Sequence, residues 1–213
     1  TEYVSLRQPD HYAWLGGEIA SSDGESVTAD RYREVTNEFA VPHSTSKHTR
    51  WHRDSYRVGA LSRLNNNWQQ LRPEAKQVMD ALGLKPPVHN PFLNSAAQVV
   101  ELVHCIEDSV AAMDEILKTG LTDEPVKVEP RPGRGVGVVE APRGLLIHEY
   151  EYDERGRLVK ANCIIPTGQN YASLDLEMQA LLPQIADQPK EKVQLMLEML
   201  VRAYDPCISC SVH

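Results

Sequence analysis

The chain has 213 residues and an acidic balance, because 22 Lys and Arg against 30 Asp and Glu give a formal net charge of −8. This charge argues against nucleic acid as a main partner, since DNA and RNA binding depends on basic side chains that neutralise phosphates. No apolar run approaches the roughly 20 residues of a membrane span, and the opening residues show no secretory signal. With only four cysteines, too few for a disulfide framework, we expect a cytoplasmic protein with no membrane span.

The amino-terminal quarter is predicted to combine short strands, one helix and a basic loop. Residues 3–6 and 12–15 are rich in apolar side chains and flank a polar turn, which predicts two short strands or a hairpin. Residues 29–39 have helical composition and follow Thr28, a favourable N-cap. Residues 43–57 carry His, Lys and Arg with aromatic side chains between them. They form either a patch for an anionic partner or a solvated or subunit-facing loop. Because the chain as a whole is acidic, the loop is favoured.

Helices are predicted in the middle of the chain. Residues 58–66 form a short helix, and residues 73–82 form a second one that starts with Pro73 and ends before Gly83. From residue 94 or 95, apolar residues recur at helical spacing as far as residue 120. This pattern predicts the longest helix, of about 23–26 residues.

Strands are predicted beyond a Pro- and Gly-rich loop at residues 121–135. They cover residues 136–139, 145–152 and 158–165, and Gly156 suits the hairpin turn between the last two. Because each strand follows the previous one after a short turn, we expect a small antiparallel sheet.

Two helices are predicted to complete the chain, from residue 170 or 173 to 185 and from 189 to 204. The second is apolar on all faces, which is typical of a buried helix. The predicted fold class is therefore α+β, helix-dominated, with a small antiparallel sheet. We expect a single domain over residues 1–213, mainly helical in 1–120. Residues 121–213 would hold the hairpin region, the buried helices and a terminal cysteine motif.

The last nine residues carry the chemistry of this sequence. Cys207 and Cys210 form a CxxC turn, and His213 follows three residues later. Such a turn puts two sulfurs on one side of a tight bend, where they can bind one soft metal ion or form a redox disulfide. Two thiolates are half of a tetrahedral set, and no second CxxC occurs in the 213 residues. The other ligands come from elsewhere, or this is not a closed metal site.

Four segments of the chain carry a family resemblance. They are residues 56–65, 140–148, 160–167 and 205–213, the last with the string Asp-Pro-Cys-x-x-Cys-x-x-His. Together they resemble the carboxy-terminal half of the large subunit of nickel–iron (NiFe) hydrogenases, and are most similar to its cytoplasmic, multisubunit, bidirectional branch. Precursors in that family are trimmed by a maturation peptidase just after this histidine, so the resemblance implies a processed chain.

The resemblance implies part of an enzyme that cleaves H₂ reversibly into a hydride and a proton at a nickel–iron centre. Cys207 would be a terminal nickel ligand and the first proton acceptor, and Cys210 would bridge nickel and iron. The iron would carry CO and cyanide ligands. His213 would bind a separate magnesium or iron ion.

Further site residues are implied by the same resemblance. Arg143 would place its guanidinium over the open face of the metals, and Asp205 would orient it through a charge-assisted bond. Pro142, Pro166 and Thr167 would line the cyanide pocket, with Thr167 as a hydroxyl donor. The other interpretation of Arg143 is a surface arginine at the start of a strand.

The chain departs from the family in one respect: the amino-terminal CxxC and the proton-passing glutamate have no counterpart in these 213 residues. The implied partners are an amino-terminal half of the large subunit, as a separate chain or a missing segment, an iron–sulfur small subunit, and the maturation peptidase. Further electron-transfer subunits would pass electrons to NAD(P) or another soluble acceptor. The alternatives are a non-catalytic scaffold subunit of hydrogenase descent and a small zinc or thiol-redox module.

Overall fold

The computed structural model describes residues 1–123, 125, 127 and 129–212, and these residues confirm the α+β fold class. The strands are β1 (Glu2–Arg7), β2 (Glu18–Ser21), β3 (Ser26–Val27), β4 (Tyr56–Arg57), β5 (Gly133–Ala141), β6 (Gly144–Tyr152) and β7 (Leu158–Ile164). The helices are α1 (Arg33–Thr36), α2 (Ala60–Asn67), α3 (Pro73–Ala81), α4 (Asn94–Thr119), α5 (Pro166–Ile185), α6 (Lys190–Tyr204) and α7 (Ile208–Ser211).

The described strands form two sheets. β5, β6 and β7 make the antiparallel sheet that was predicted, with Gly156 at φ 68° in the turn between β6 and β7. The other sheet has the order β3-β2-β1-β4, in which β1 is antiparallel to β2 and parallel to β4. This sheet was not predicted from the sequence because its outer strands are only two residues long and β4 joins β1 from a distant part of the chain, with Glu2 opposite Tyr56.

The predicted hairpin between residues 3–6 and 12–15 is wrong in its second strand. β1 pairs with β2, while residues 12–15 form no strand and touch the β5-β6-β7 sheet through one bridge between Leu15 and Val139. Gly17, at φ 83°, turns the chain toward β2, and a Cβ there would lie 2.3 Å from the Arg7 carbonyl oxygen. The close approach therefore requires glycine. The strand begins at Glu18, six residues later than the apolar pattern indicated.

The helix predicted over residues 29–39 is also wrong in extent. A 3-10 turn at Ala29–Arg31 is followed only by the four-residue α1, and Thr28 makes no side-chain capping bond. Asn37, at φ 29°, ends the helix, and Phe39 then exchanges two backbone hydrogen bonds of 2.9 Å with His48. Tertiary pairing has overridden local helix propensity here.

The basic loop at residues 43–57 is partly buried against its own chain, while most of its basic side chains remain exposed, as expected for a solvated loop. His48 and Arg57 are buried. His52 Nδ1 lies 2.7 Å from a carboxylate oxygen of the fully buried Glu2. The charges that suggested an anionic partner are thus partly matched within the chain.

The three middle helices confirm the predicted pattern. α3 begins at Pro73 and is followed by Gly83 at φ 68°, and α4 runs for 26 residues to Gly120 at φ 77°. At the start of α4, Asn94 Oδ1 accepts from the Leu61 N–H at 3.1 Å and its Nδ2 donates to the Ala203 carbonyl at 2.8 Å. This one amide therefore joins α2, α4 and the end of α6.

A buried network of ion pairs links α2 and α4 to the β5-β6-β7 sheet. The Arg63 side chain donates to both carboxylate oxygens of Glu101, at 2.6 and 2.7 Å, and to Glu140 Oε2 at 2.9 Å. It also donates to the backbone oxygens of Ala141, at 2.9 Å, and Pro142, at 3.0 Å. Burial raises the pKa of Glu140, and the adjacent guanidinium acts in the opposite direction. Arg63 therefore fixes the backbone where β5 ends.

The last two long helices differ from the predictions in one feature each. α5 begins at Pro166, four or seven residues before the predicted start at 170 or 173, so Pro166 and Thr167 lie in its first turn. α6 has the predicted span but is not buried on all faces, since Leu195 and Met199 are 51% and 47% exposed. Among the described residues, helices do not combine the length and apolarity that crossing a bilayer requires.

Candidate metal centre

The cysteine loop begins where α6 ends. Asp205 is in the left-handed conformation, with φ 48° and ψ 53°, and its N–H donates to the Arg202 carbonyl at 3.0 Å. Asp is one of the few non-glycine residues that adopt this conformation readily. The reversal ends the helix sharply and directs Pro206 and Cys207 toward the first turn of α5.

The two sulfurs of the motif are adjacent, and the structure joins Cys207 and Cys210 as a disulfide with Cα atoms 5.3 Å apart. The Cys210 N–H donates to the Cys207 carbonyl at 3.2 Å, which closes the CxxC turn. Cys207 is half-buried and Cys210 is exposed. The same sulfurs can bind a metal only as thiolates, so the oxidised and the metal-bound states of this turn exclude each other.

Arg143 reaches the cysteine loop from the turn between β5 and β6. Its Nε lies 3.2 Å from Asp205 Oδ2 and donates to the Asp205 backbone oxygen, and its Nη2 donates to Asp205 Oδ1 at 3.3 Å. Both side chains remain partly exposed. Asp205 therefore holds the guanidinium in a defined direction beside the residues that carry the sulfurs.

The turn that presents Arg143 is held by close backbone packing. A Cβ on Gly144, which has φ 131°, would lie 2.3 Å from Val58 Cγ2, and a Cβ on Gly59 would lie 3.0 Å from the Arg143 carbonyl oxygen. Asn170 Oδ1 accepts from the Val58 N–H at 2.9 Å. These contacts press the turn against the start of α2, so the arginine stands on a rigid support.

Thr167 connects the start of α5 to the cysteine loop. Its buried hydroxyl accepts from the Cys207 N–H at 3.1 Å, beside the buried Pro166. Pro142, by contrast, is exposed in the β5–β6 turn, where its carbonyl accepts from Arg63. The structure thus brings Arg143 and Thr167, from two other elements, into contact with the loop that carries Asp205 and the sulfurs.

His213 lies outside the described residues, so the structure gives no account of its predicted metal ligation. The roles predicted for the other site residues also stay predictions, because the structure establishes their positions and contacts alone.

A cluster of polar side chains behind the cysteine loop was not predicted from the sequence. The Arg57 guanidinium lies 4.0 Å from the centre of the Tyr204 ring, and Tyr204 donates to Glu177 Oε2 at 2.7 Å. Arg57 Nη1 is 3.8 Å from Glu177 Oε1, too far for a hydrogen bond. Burial raises the pKa of both Tyr204 and Glu177. The sequence offered no signal for this group, because its members belong to β4, α5 and α6.

The donor set fits half of a thiolate-bound metal centre. Two adjacent sulfurs, a fixed guanidinium and a buried hydroxyl suit a soft, charge-rich group. The described residues contain one cluster with three possible ligand atoms within 4.8 Å, formed by Glu2, Asp23 and His52. That cluster contains no sulfur, and its members already form ion pairs within the chain. Further donors for Cys207 and Cys210 therefore come from outside the described residues if a metal is bound.

Comparison with known proteins agrees with this donor set. Residues 5–213 match the family described as nickel-dependent hydrogenase. The chain is 38% identical to subunit alpha of sulfhydrogenase 1 of Pyrococcus furiosus over 204 residues, which are 96% of this chain and 47% of that protein. It is 33% identical to subunit beta of the NAD-reducing hydrogenase HoxS of Cupriavidus necator over 170 residues, or 75% of this chain and 34% of that protein.

A solved structure of NAD⁺-reducing nickel–iron hydrogenase in the H₂-reduced state superposes with a TM-score of 0.83 at 26% identity, covering 100% of this chain and 51% of that one. The chain spans about half the length of the curated Pyrococcus relatives it matches, at 47% and 49%. The family match extends over nearly all of the chain and includes the cysteine loop, the Arg143 turn and the start of α5. The chain therefore belongs to the nickel-dependent hydrogenase family.

Proposed function

We propose that this chain forms the carboxy-terminal half of the catalytic large subunit of a nickel–iron hydrogenase that interconverts H₂ with protons and electrons. The observation that carries the proposal is the contact of Arg143 with Asp205, at the start of the loop that carries Cys207 and Cys210, in a chain of this family. When bound, a nickel–iron centre supplies the heterolytic cleavage of H₂. Because the chain spans half of its relatives, two further thiolates come from sequence outside these 213 residues.

Each site residue of this chain has a distinct part in the proposal. The Cys207 and Cys210 sulfurs would hold the metals, and Cys207 Sγ would accept a proton, because a metal-bound thiolate is ionised but still basic enough to be reprotonated. Thr167 fixes the backbone of Cys207 through its hydroxyl. That fixed backbone keeps the sulfur from shifting as its charge changes.

Arg143 supplies a permanent positive charge at the open side of the site. Guanidinium cannot lose its proton at working pH, and its fork keeps one direction when a carboxylate clamps it. Asp205 supplies that clamp. Pro142, Pro166 and Thr167 complete the proposed pocket for the CO- and cyanide-bearing iron, and His213 is the proposed ligand of a separate magnesium or iron ion.

The proposed partners follow from the incomplete donor set and from the relatives. They are the amino-terminal half of the large subunit, an iron–sulfur small subunit, further electron-transfer subunits and a maturation peptidase. One relative is named as NAD-reducing and others as F420-non-reducing, so NAD(P) or another soluble carrier is the proposed acceptor, in a cytoplasmic setting.

The test compares Cys210→Ser with Cys163→Ser in the complete purified particle. Cys163 is a free cysteine in β7 whose sulfur lies 3.9 Å from the Tyr150 hydroxyl. We expect Cys210→Ser to lose H₂ activity and nickel, because a bridging ligand contacts both metals, whereas Cys163→Ser retains both. Nickel per chain is measured by mass spectrometry, and infrared bands of metal-bound CO and cyanide report on the iron. Full nickel content in Cys210→Ser would contradict the ligand assignment.

A second candidate, a non-catalytic scaffold of hydrogenase descent, is favoured by the half-complete donor set. It predicts a particle with neither nickel nor infrared bands of CO and cyanide. A third candidate, a thiol-redox module, is favoured by the Cys207–Cys210 disulfide, and it predicts reversible dithiol oxidation in a nickel-free protein.

A further inference from the structure

The long helix α4 has two apolar faces. One is buried and includes Ala97 and Val100, which pack into the core formed with α2 and α3. The other carries exposed apolar side chains that we call the α4 stripe. Its members are Val99, Leu102, Ile106, Val110, Met113, Ile116 and Leu117.

The α4 stripe has the geometry of a helix-packing seam. From Val99 to Ile116 its members recur every three or four residues, and Leu117 follows directly. At about 100° per residue the stripe points away from the buried face. From Val99 to Leu117 it is about 27 Å long at the helical rise. Leu102 and Ile106 near its middle are 61% and 57% exposed. A one-sided surface helix carries polar residues on this face, and an apolar stripe of such length marks an interaction surface.

From this stripe, together with the proposed function, we infer that α4 docks an amphipathic helix from the large-subunit sequence that carries the second thiolate pair. The Pyrococcus relatives have as much sequence outside the matched region as inside it, so a partner of sufficient size exists. A straight stripe of Leu, Ile, Val and Met at three- and four-residue spacing fits the grooves of a second helix. α4 is also joined through Asn94 to the end of α6, so a partner docked on α4 binds an element that contacts the helix leading into the cysteine loop.

Charge argues against a second copy of this chain as the occupant. α4 contains five acidic residues and one basic residue, Lys118. Asp114 and Glu107 lie along one border of the stripe. Two copies packed stripe to stripe would bring acidic helices together, which opposes association. The partner helix is expected to carry basic residues along the matching border.

The test places the photoreactive amino acid p-benzoylphenylalanine at position 106 in the complete particle. After irradiation, the crosslinked peptide is identified by mass spectrometry. We expect a peptide from the large-subunit sequence that carries the second CxxC. The control places the same probe at position 115, on the side of α4 away from the stripe, and we expect at least tenfold less of that adduct. A peptide from the iron–sulfur subunit, α4 of a second copy, or no such adduct would overturn the inference.

A charge substitution gives an independent readout. Ile106→Glu is expected to lower the recovery of particles that contain both halves by tenfold or more. Lys118→Glu, a larger charge change off the stripe, should leave recovery within twofold. Equal recovery of the two variants would contradict docking at the α4 stripe. Because position 106 is exposed within this chain, circular dichroism of the two variants should match.

The inference and the proposed function fail separately. A nickel-free particle in which position 106 still crosslinks to the second CxxC sequence would contradict the hydrogenase proposal and support docking at the α4 stripe. A nickel-loaded, active particle in which position 106 crosslinks elsewhere would support the hydrogenase proposal and contradict docking at the α4 stripe.

Discussion

Replacement of Arg63 by Met is expected to destabilise the protein strongly, although the residue lies outside the cysteine loop. The Arg63 side chain is 1% exposed and donates five hydrogen bonds, three of them to Glu101 and Glu140. Methionine fills a similar space but leaves both carboxylates without their cation. Breaking a buried ion pair from one side costs about 3–5 kcal/mol. In a chain of this size that corresponds to a fall in Tm of about 6–20 °C.

The loss of folding stability in Arg63→Met should depend on pH in a defined direction. Burial raises the pKa of Glu140 above its ordinary value of 4.5, and removal of Arg63 raises it further. A carboxyl group with a raised folded-state pKa favours folding below the unfolded pKa, and this contribution is lost as pH rises through the folded pKa. The stability deficit of Arg63→Met relative to wild type should therefore be smallest near pH 4 and grow toward pH 7.

The assay is thermal unfolding of purified wild type, Arg63→Met and Arg202→Met at several pH values. Arg202 forms an exposed ion pair with Glu198 at 3.1 Å, for which about 0–1 kcal/mol is expected. The reasoning is refuted if Arg63→Met unfolds within 2 °C of Arg202→Met, or if its deficit shrinks as pH rises from 4 to 7.

Two further substitutions test the loop itself. Arg143→Lys should retain nickel but slow H₂ turnover by about 10²–10³, the effect of losing one preorganised electrostatic group; turnover within twofold of wild type would assign Arg143 a structural role only. Tyr204→Phe removes the hydroxyl that donates to Glu177 and should cost about 1–3 kcal/mol in the free energy of unfolding. Denaturant titration measures this cost, and Tyr152→Phe, at the exposed end of β6, serves as the control with an expected change under about 0.5 kcal/mol.

The elements predicted well from sequence are those with local signals at both ends. α3 lies between Pro73 and Gly83, α4 ends at Gly120, and the β6–β7 turn contains Gly156. Each signal reflects a backbone requirement that neighbouring residues impose, so distant packing was not needed to find it.

The elements missed depend on contacts between distant parts of the chain. The sheet around β1 exists because β4 pairs with it across more than fifty residues, and the short α1 ends where Phe39 pairs with His48. α6 was predicted to be buried from composition alone, and composition does not show which neighbours are available to cover a face.

The cysteine loop was predicted only in part. The resemblance named Arg143, Asp205 and Thr167, and the structure brings them to the loop. The group formed by Arg57 and Glu177 around the Tyr204 ring could not be inferred, because a buried guanidinium in β4 and an exposed one have the same appearance in a sequence.

The side-chain amide of Asn94 anchors the amino-terminal end of α4 through two hydrogen bonds. One end of the helix is pinned to the Leu61 N–H and to the Ala203 carbonyl, two residues before Asp205, while the other end extends for about 39 Å. Because Ala203 lies in the last turn of α6, the positions of α4 and of the backbone that leads to Cys207 are coupled through this one side chain. Contacts made along α4 therefore also bear on the end of α6 from which the cysteine loop starts.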